Sequence, residues 1–467
     1  MTNSKERIIV VGAGVSGIAA GFRLKQRGYD VTLLEQSDYI GGKAKTTRTR
    51  GYIIDEGASI LPSSYVNVMG IIKDLGLQDE LVPGSSIIGF ARGDRIHYMD
   101  SARLVRDSLT TGLISWRSKL RMLNVIIDNL RIRSRLNYED ITTAADFDVE
   151  TAAQYCRRRA NEEILEYMVD GTLRGLLGTS AEKQSVVDYF FSFNNVIGSR
   201  LLAFRKGMGF FPNAVAEKAG LDVRLEARVE EVTEANGHVS VSWSSPEGSH
   251  SENVAGVVVA LPAFAASAVV PGLPAEAHRI LNSMRYTTSV NISLGLRKPP
   301  PNIPSFVIQI PQSVHPDLFA IVMDHNKAPG RVPEGKGMAS LYTMSDWAER
   351  LMDQDDETVI RQITAAGERV VPGLSEMVEF AQVNRWYPVI VYSEPGTYRR
   401  LADLKSLLDP RSRIKLGGDY FSCSNLNTAV AGGERAARQL DAVLAPSSAR
   451  GDGGTERLFR PARRAGA

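Results

Sequence analysis

Three glycines and a glutamate near the amino terminus have the spacing of a dinucleotide-binding turn. Gly12, Gly14 and Gly17 form the pattern G-x-G-x-x-G, and Glu35 lies eighteen residues beyond Gly17. The first glycine permits a sharp turn, the second lets backbone N–H groups approach a pyrophosphate, and the third lets a helix lie close on a sheet. An acid at position 35 accepts hydrogen bonds from a ribose and repels a 2′-phosphate, so the pattern favours FAD or NAD over NADP.

The segments around these glycines predict a strand, a helix and a second strand. β-Branched residues fill positions 8–11, a helical pattern covers 15–27, and a second apolar run covers 31–34. Because the helix begins directly after Gly14, its positive end and its first residues, Val15 and Ser16, would face the phosphates. We therefore predict a Rossmann-type βαβ unit.

A second pair of glycines, followed by a lysine, distinguishes the two candidate dinucleotides. Gly41, Gly42 and Lys43 come shortly after Glu35 and combine backbone N–H groups with a positive charge. A longer cofactor could fold its phosphates against such a site, whereas an NAD domain does not need it. The segment therefore favours FAD.

With these motifs the chain resembles the superfamily of flavin amine oxidases, protoporphyrinogen oxidases and phytoene desaturases. Most members have arginine where this chain has Lys43, which keeps the charge without the bidentate geometry. Val229 matches a valine whose backbone contacts the adenine. Four residues match the family's segment near the flavin ring: Asp55, Gly57, Ala58 and Ser59. The resemblance covers residues 7–445 and implies an α/β fold, in which an FAD-binding Rossmann-type domain is joined to a discontinuous substrate domain of mixed sheet and helical insertion.

The carboxyl-terminal part resembles the second fingerprint of this superfamily. A strand is expected to end at Gly418 and Asp419, which the resemblance places at the ribitol phosphate. A helix is expected over 428–440, and Asn427, Thr428 and Ala429 would present backbone N–H groups to the pyrimidine edge of the flavin. A helix amino terminus there would stabilise the negative charge of reduced flavin.

Three positions separate this chain from the amine oxidases of the superfamily. Asn291 stands where those enzymes usually hold a lysine near flavin N5, and it could instead hydrogen-bond a substrate carbonyl or ring nitrogen. Ile390 and Asn425 stand near the positions of the two aromatic residues that flank the flavin. Val389 lies near the position of the covalent cysteine, so FAD is expected to bind non-covalently. The chain is therefore placed nearer the protoporphyrinogen oxidases and ring desaturases.

The reaction implied by the resemblance is removal of hydrogen from carbon. We predict a dehydrogenase that desaturates a carbon–carbon bond of a small apolar cyclic substrate such as a ring ketone, with hydride transfer to flavin N5 and O2 as acceptor. Tyr387, Tyr392 and Tyr420 are candidates for the base or donor that such a ketone needs, and aromatic packing is the alternative for each. Three alternatives stay open: a protoporphyrinogen-type oxidase, an amine oxidase that produces an imine and hydrogen peroxide, and a flavin-binding protein without turnover.

Length and composition limit the remaining possibilities. A chain of 467 residues is expected to form two domains, and its 43% hydrophobic residues, 23% charged residues and formal net charge of +2 indicate neither disorder nor a nucleic-acid partner. Cys156 and Cys423 provide no disulfide framework, and no metal site is predicted. Without a secretory signal, the sequence predicts a cytoplasmic protein and leaves its oligomeric state open.

The order of the motifs along the chain predicts interleaved domains. FAD-binding parts are expected at 1–84, 204–283 and 396–446, a helical substrate or cap region at 85–203, a substrate-domain sheet at 284–395, and a disordered tail at 447–467. Residues 379–392 are expected to form one strand that carries Trp386, Tyr387 and Tyr392. The uncharged run 253–275 contains three prolines, so we predict a buried strand, a turn and a short helix rather than a membrane span.

One charged segment within the helical region allows two interpretations. Residues 103–135 contain eight Lys and Arg residues against two Asp residues, interleaved with leucine, isoleucine and tryptophan. We favour a solvated face that caps the substrate cavity. Peripheral contact with an anionic membrane is the alternative.

Overall fold

The computed structural model describes residues 6–196 and 198–445, so the predicted tail at 447–467 lies outside the described residues. Five parallel strands form the cofactor sheet, in the spatial order Asp222–Arg224, Asp30–Leu34, Arg7–Val11, Gly256–Val259 and Ile414–Leu416. The predicted βαβ unit is confirmed, with its helix at Val15–Gln26. The sheet therefore collects strands from three distant parts of the chain.

Both faces of the cofactor sheet are buried, as expected for parallel strands that are covered by helices. Ile8 and Val10 pack on the side of helix Val15–Gln26, whereas Ile9 and Val11 pack on the opposite side. This explains the unbroken run of β-branched residues at 8–11.

A second sheet, the substrate sheet, has seven strands. Their spatial order is Val378–Trp386, Ser289–Leu296, Gly337–Thr343, Leu318–Met323, Val307–Gln309, Ile87–Arg92 and Arg95–Asp100. All neighbours are antiparallel except Val307–Gln309 and Ile87–Arg92, which are parallel. Because this sheet takes strands from both sides of the second FAD-binding part in sequence, the predicted mixed and discontinuous architecture is confirmed.

Four small sheets complete the described strands. Arg228–Ala235, His238–Ser245 and Gly248–Val254 form a meander, and Asn236 and Gly237 turn its first hairpin with positive φ angles of 53° and 76°. The other small sheets pair Thr46–Thr49 with Tyr52–Asp55, Leu201–Phe204 with both Leu61–Pro62 and Leu81–Pro83, and Arg285–Tyr286 with Val391–Tyr392.

Helices and turns occupy residues 101–196, but the rest of the region 85–203 that was predicted as helical contains the strands Ile87–Arg92 and Arg95–Asp100 and the start of Leu201–Phe204. The α-helices of residues 101–196 are Leu104–Thr110, Trp116–Ile132, Ala152–Arg159, Glu162–Ile164, Gly171–Leu177 and Val186–Val196, with a π-helix at Leu165–Asp170. Elsewhere the helices are Val66–Asp74, Phe210–Ala219, Ala263–Val269, Ala275–Asn282, Asp324–Lys327, Ser345–Leu351, Asp356–Glu368, Leu374–Met377, Thr397–Leu407 and Leu426–Leu444. Short 3₁₀ turns lie at Gln78–Glu80, Ser101–Arg103, Arg133–Arg135, Ile141–Phe147 and Asp419–Phe421.

The expectation of one strand over 379–392 is wrong. The strand ends at Trp386, a cis peptide bond joins Tyr387 to Pro388, and Val391–Tyr392 pairs with a different sheet. Proline has no N–H group to donate to a ladder, so Pro388 cannot continue the strand. Tyr387 and Tyr392 therefore leave the substrate sheet.

The apolar run 253–275 folds as predicted, with a buried strand at Gly256–Val259 and a helix at Ala263–Val269. In the part of the chain that the structure describes, no helix is both long and apolar enough to cross a bilayer.

Candidate active site

The glycine turn lies at the carboxyl ends of the parallel strands. Gly12 has a φ of +93°, and its N–H donates to the Leu34 carbonyl at 2.7 Å. A Cβ atom on Gly17 would lie 1.8 Å from the Gly12 carbonyl oxygen, whereas one on Gly14 would meet no atom within 4 Å. Gly17 is therefore required for close packing, and Gly14 borders open space in front of the turn.

The Glu35 carboxylate is buried beside the same turn. It accepts hydrogen bonds from the Ala13 N–H at 2.7 Å and from the Ser37 N–H at 2.9 Å. Each oxygen keeps a second lone pair, which is available for a ribose hydroxyl. The Ala227 N–H donates to the Glu35 carbonyl at 2.8 Å, so the chain segment of Val229 begins next to Glu35, as an adenine contact requires.

The second glycine pair packs against the first. The Gly41 N–H donates to the Ala13 carbonyl at 2.9 Å, and a Cβ atom on Gly42 would lie 3.3 Å from Gly14 Cα. Lys43 Nζ lies 3.2 Å from Asp419 Oδ2 and also donates to the Val389 carbonyl. Lys43 therefore connects the amino-terminal motifs to the carboxyl-terminal fingerprint, which the sequence pattern alone did not indicate.

The carboxyl-terminal fingerprint meets the glycine turn at the edge of the cofactor sheet. Helix Leu426–Leu444 packs on helix Val15–Gln26 so closely that a Cβ atom on Gly433 would lie 2.0 Å from the Ser16 carbonyl oxygen. Ser16 Oγ is buried and has no hydrogen-bond partner among the described residues. Gly418 has a φ of +122°, which places Asp419 at the start of the loop toward the helix. A buried hydroxyl without a partner at a glycine turn indicates a site for a polar ligand.

The amino terminus of helix Leu426–Leu444 differs from the prediction. The helix begins two residues earlier than expected, because Asn425 is its N-cap and accepts a hydrogen bond from the Thr428 N–H at 2.9 Å through Oδ1. The Ala429 N–H donates to the Asn425 carbonyl at 3.0 Å. The N–H groups of Thr428 and Ala429, two of the three predicted donors, are therefore already bonded to Asn425. Among the described residues, the first-turn N–H groups of Leu426 and Asn427 are available for a ligand.

Sequence reasoning missed Leu426 because it overlooked the Asn-x-x-Thr capping pattern. It also missed the second function of Asn427, whose Oδ1 accepts hydrogen bonds from the Asn67 N–H at 2.8 Å and the Val68 N–H at 3.1 Å. Asn427 therefore caps helix Val66–Asp74 and fixes it to the start of helix Leu426–Leu444.

A buried ion cluster holds the segment that was predicted to lie near the flavin ring. Asp55 Oδ2 lies 2.9 Å from both Lys327 Nζ and Arg331 Nη1, and Asp55 Oδ1 accepts from Thr46 Oγ1 at 2.7 Å and from the Met208 N–H at 2.8 Å. Burial alone would raise the pKa of Asp55, but the two cations outweigh it and lower the pKa to about 2. No spacing in the sequence indicates these cations, since they lie more than 270 residues away.

The next residues of this segment pack on Lys43 and on the substrate sheet. The Ala58 N–H donates to the Lys43 carbonyl at 2.9 Å, and a Cβ atom on Gly57 would lie 2.3 Å from that carbonyl oxygen. Ser59 hydrogen-bonds with the buried hydroxyl of Tyr342. The segment therefore bridges the two sheets.

Asn291 supports the same segment rather than facing a substrate. Its side chain is 1% exposed, its Nδ2 donates to the Glu56 carbonyl at 3.1 Å, and its Oδ1 accepts from Asn384 Nδ2 at 2.9 Å. Trp386 Nε1 donates to the same Glu56 carbonyl at 3.1 Å. Both ends of the amide have protein partners, so the expectation that Asn291 binds a substrate carbonyl is replaced by a positioning role.

The three candidate tyrosines do not converge. Tyr387, with 60% of its surface exposed, and Tyr392 line an open groove of about 650 Å³, and Tyr387 stacks on Phe264 with ring centroids 6.4 Å apart. Burial raises the pKa of Tyr392. Tyr420 is instead fully buried under Gly418, its hydroxyl has no protein partner in the described structure, and burial raises its pKa. Tyr420 thus stays protonated and can act as a donor but not as a base.

A buried carboxyl group behind the segment that precedes helix Leu426–Leu444 was also missed. Asp188 accepts hydrogen bonds from the Tyr398 hydroxyl and from Gln184 Nε2. Burial raises the pKa of Asp188 to about 7, in spite of these donors. Asp188 also interacts with Cys423, whose carbonyl accepts a hydrogen bond from Thr428 Oγ1 at 2.8 Å.

The fold and the site together define a dinucleotide-binding flavoprotein with two fingerprints. The chain belongs to the flavin containing amine oxidoreductase family, whose model matches residues 15–441. It is an FAD-dependent oxidoreductase that acts on a small organic substrate.

Individual relatives span most of the chain. Coproporphyrinogen III oxidase of Bacillus subtilis (strain 168) is 24% identical over 449 residues, which cover 87% of this chain and 92% of the relative. L-amino-acid oxidase of Demansia vestigiata is 22% identical over 492 residues, which cover 94% and 87% of the two chains. The structure of cyclohexylamine oxidase from Brevibacterium oxydans IH-35A has the same fold, with a TM-score of 0.73 at 16% identity and coverage of 95% and 100%.

The residues of the site fit FAD. Open space lies in front of Gly14, and the hydroxyl of Ser16 lacks a partner where a pyrophosphate would approach. Glu35 retains acceptor capacity for a ribose, and the N–H groups of Leu426 and Asn427 lie at a helix amino terminus. Gly14 and Ser16 would hold the diphosphate, Glu35 the ribose of the adenosine, and Leu426 and Asn427 the ring edge of the cofactor.

Proposed function

We propose that this enzyme desaturates a carbon–carbon bond of an apolar cyclic substrate such as a ring ketone, with O2 as electron acceptor. FAD, when bound, would accept one substrate hydrogen as a hydride, which carries both electrons, and the hydrogen on the neighbouring carbon would leave as a proton. The proposal depends on one observation: the buried Asn291, whose amide nitrogen and oxygen both have protein partners, stands where the family resemblance would place the lysine of an amine oxidase.

The environment of Asn291 favours a carbon donor over an amine. An amine must be neutral when it reacts, and a nearby lysine or aromatic pair assists its approach. Here the Asn291 amide is bonded to Glu56 and Asn384, and Asn425, at the second aromatic position, is the N-cap of a helix. Neither asparagine supplies a basic nitrogen or a π-face.

The remaining site groups provide donors. The Leu426 and Asn427 N–H groups lie at the positive end of a 19-residue helix and would stabilise negative charge that develops nearby. The protonated hydroxyl of Tyr420 is a candidate donor to a carbonyl or enolate oxygen. The name of the Bacillus subtilis relative, a coproporphyrinogen oxidase, also refers to a porphyrinogen rather than to an amine.

The test is anaerobic stopped-flow reduction of the bound flavin by three donor classes: cyclic ketones, porphyrinogens and amines. We expect a cyclic ketone to bleach the flavin and to leave with a new carbon–carbon double bond, which mass spectrometry and absorbance detect. Faster bleaching by a porphyrinogen would instead identify a porphyrinogen oxidase. Efficient bleaching by a primary or secondary amine, with hydrogen peroxide formed in proportion under air, would establish the amine oxidase alternative.

A matched pair of variants tests the role of Tyr420. Tyr420→Phe removes the hydroxyl that lacks a protein partner, whereas Tyr189→Phe removes a similarly buried and unpartnered hydroxyl in helix Val186–Val196. If Tyr420 is the donor, Tyr420→Phe lowers the flavin reduction rate by about 10²-fold or more, and Tyr189→Phe leaves it near the wild-type value. Equal rates in the two variants would exclude Tyr420 as the donor.

A further inference from the structure

One face of the substrate sheet, the inner face, carries a row of residues that leads away from the predicted flavin segment. Tyr342 on this face hydrogen-bonds with Ser59, which was predicted to lie near the flavin ring. The residues in register with Tyr342 on the next two strands are Ala320 and then Gln309. Neighbouring strands lie about 4.8 Å apart, so Gln309 is roughly 10 Å from Tyr342 along this row.

The inner face is less completely covered than the outer face of the same sheet. Four of its side chains are only half-buried: Ile88, Gln309, Phe319 and Tyr342. Neighbouring residues of the same strands that point to the outer face are fully buried in a large apolar cluster: Ile308, Ile321 and Leu341. A mostly apolar and incompletely covered face with one polar side chain is typical of a substrate pocket.

Helix Gly171–Leu177 lies over Gln309 and turns two glycines toward its amide. A Cβ atom on Gly171 would lie 3.5 Å from Gln309 Oε1, and one on Gly175 would lie 3.5 Å from Gln309 Nε2. These are ordinary contact distances, so a methyl group would fit between the helix and the amide. The π-helix Leu165–Asp170 directly precedes this helix, and π-helical turns are frequent at functional sites. The helix thus leaves room beside the amide.

The amide oxygen of Gln309 lacks a hydrogen-bond donor. Oε1 is buried and has no hydrogen-bond partner among the described residues. A buried acceptor without a donor destabilises the protein, and a ligand that brings a donor removes this penalty. An amide oxygen can only accept, so the missing partner must be a donor such as a hydroxyl group.

We propose that Gln309 selects the substrate, because its Oε1 accepts a hydrogen bond from a hydroxyl group at the end of the substrate remote from the flavin. This inference rests on the proposed function and specifies its substrate as a fused-ring ketone with a hydroxyl group roughly 10 Å from the reacting carbon. Phe319 would pack on the rings. The neighbouring cation Arg174 already donates to the carbonyls of His315 and Pro316, so a neutral hydroxyl fits better than a carboxylate.

The experiment measures binding rather than turnover. Equilibrium dialysis of the full-length holoenzyme compares three naphthyl methyl ketones that differ only at the far end of the rings, where they carry a hydroxyl group, a methoxy group or hydrogen. None of them contains a carbon–carbon single bond with hydrogen on both carbons, so none can be desaturated. We expect the wild type to bind the hydroxyl compound about tenfold more tightly than the other two.

Variants of the amide and of the glycine beside it test the assignment. Gln309→Leu should bind all three compounds alike, whereas Gln309→Glu should keep the preference, because a carboxylate also accepts from a hydroxyl group. Gly171→Ala should reduce the preference, because its methyl group fills the gap beside Oε1. Matched controls are Gln362→Leu, on a helix that packs on the outer face, and Gly70→Ala, whose Cβ atom would meet no atom within 4 Å; both should bind like wild type.

Three results would overturn the selection by Gln309. They are equal binding of the hydroxyl and hydrogen compounds by the wild type, a preference that survives in Gln309→Leu, and equally tight binding of the methoxy compound, whose ether oxygen cannot donate. Flavin content and melting temperature show that each variant is folded. A hydroxyl preference that is lost in Gln309→Leu, together with no flavin reduction by any cyclic ketone, would support the hydroxyl site and overturn only the proposed desaturation.

Discussion

The buried ion cluster around Asp55 yields a quantitative prediction about stability. Asp55→Asn keeps the shape of the side chain but removes the charge that neutralises Lys327 and Arg331, whose side chains are 7% and 1% exposed. Removing one partner of a buried ion pair costs about 3–5 kcal/mol. The lowering of the Asp55 pKa from 3.8 to about 2 independently corresponds to about 2–3 kcal/mol, which sets the lower end of the expected loss.

Urea unfolding of the apoprotein, followed by tryptophan fluorescence, measures this loss. The control is Asp346→Asn, because Asp346 pairs with Lys183 at 3.0 Å on the surface, where such pairs contribute about 1 kcal/mol or less. Combining Asp55→Asn with Lys327→Met removes one of the two cations that Asp55 neutralises, so the double variant should be more stable than the sum of the single changes predicts. If Asp55→Asn costs no more than Asp346→Asn, the cluster does not hold the segment as we argue.

The same cluster determines an acid dependence. A depressed pKa means that the stabilisation by Asp55 is complete above its unfolded pKa near 4 and is lost as the pH falls toward 2. The stability difference between wild type and Asp55→Asn should therefore be constant from pH 5 to 7 and should shrink below pH 4. A difference that stays constant down to pH 2 would contradict the ionised state of Asp55.

Four further predictions concern the cofactor and the buried polar groups. Gly14→Ala should fold normally but lose affinity for FAD, because its methyl group occupies the open space in front of the turn. Gly17→Ala should be destabilised, because its methyl group contacts the Gly12 carbonyl. Flavin content measures the first effect and melting temperature the second. Asn291→Lys should give little amine oxidation and should weaken the native reaction in flavin reduction assays, because it breaks two buried hydrogen bonds. Because the pKa of Asp188 is raised to about 7, its contribution to the free energy of unfolding falls as the pH rises from 4 to 7. Urea titrations should therefore show that Asp188→Asn gains stability relative to wild type over that range. Acid precipitation should release the yellow chromophore into the supernatant; colour that stays in the pellet would show covalent attachment.

Local patterns predicted the elements that need only short-range information. The glycine spacing and the run of β-branched residues at 8–11 indicated the βαβ unit. The residues that specify a turn or a strand of this kind are adjacent in sequence, so the pattern can be recognised without the tertiary structure. The same kind of signal, had it been used at Asn425, would have placed the start of the last helix correctly.

The distribution of exposed surface could not be predicted in this way. The sequence showed that 103–135 is both basic and apolar, but the pattern is equally compatible with an inward or an outward apolar face. Only packing of Asn129 and its neighbours against helix Val186–Val196 directs outward the apolar stripe that runs from Trp116 to Leu130 on helix Trp116–Ile132. The spacing of residues shows which of them share one side of a helix. The elements that pack against the helix determine which side faces water.

The sequence by itself determined the cofactor class and located the two fingerprints that we expect to bind it, because each fingerprint is contiguous and its glycines mark positions that need a particular backbone geometry. The tertiary structure alone decided which side chains support the site. Lys327 and Arg331 reach Asp55 from the substrate sheet, and Asn291 uses its amide to hold Glu56 instead of a substrate. These contacts join residues more than 230 positions apart, so they depend on how the two sheets meet and leave no local spacing in the chain.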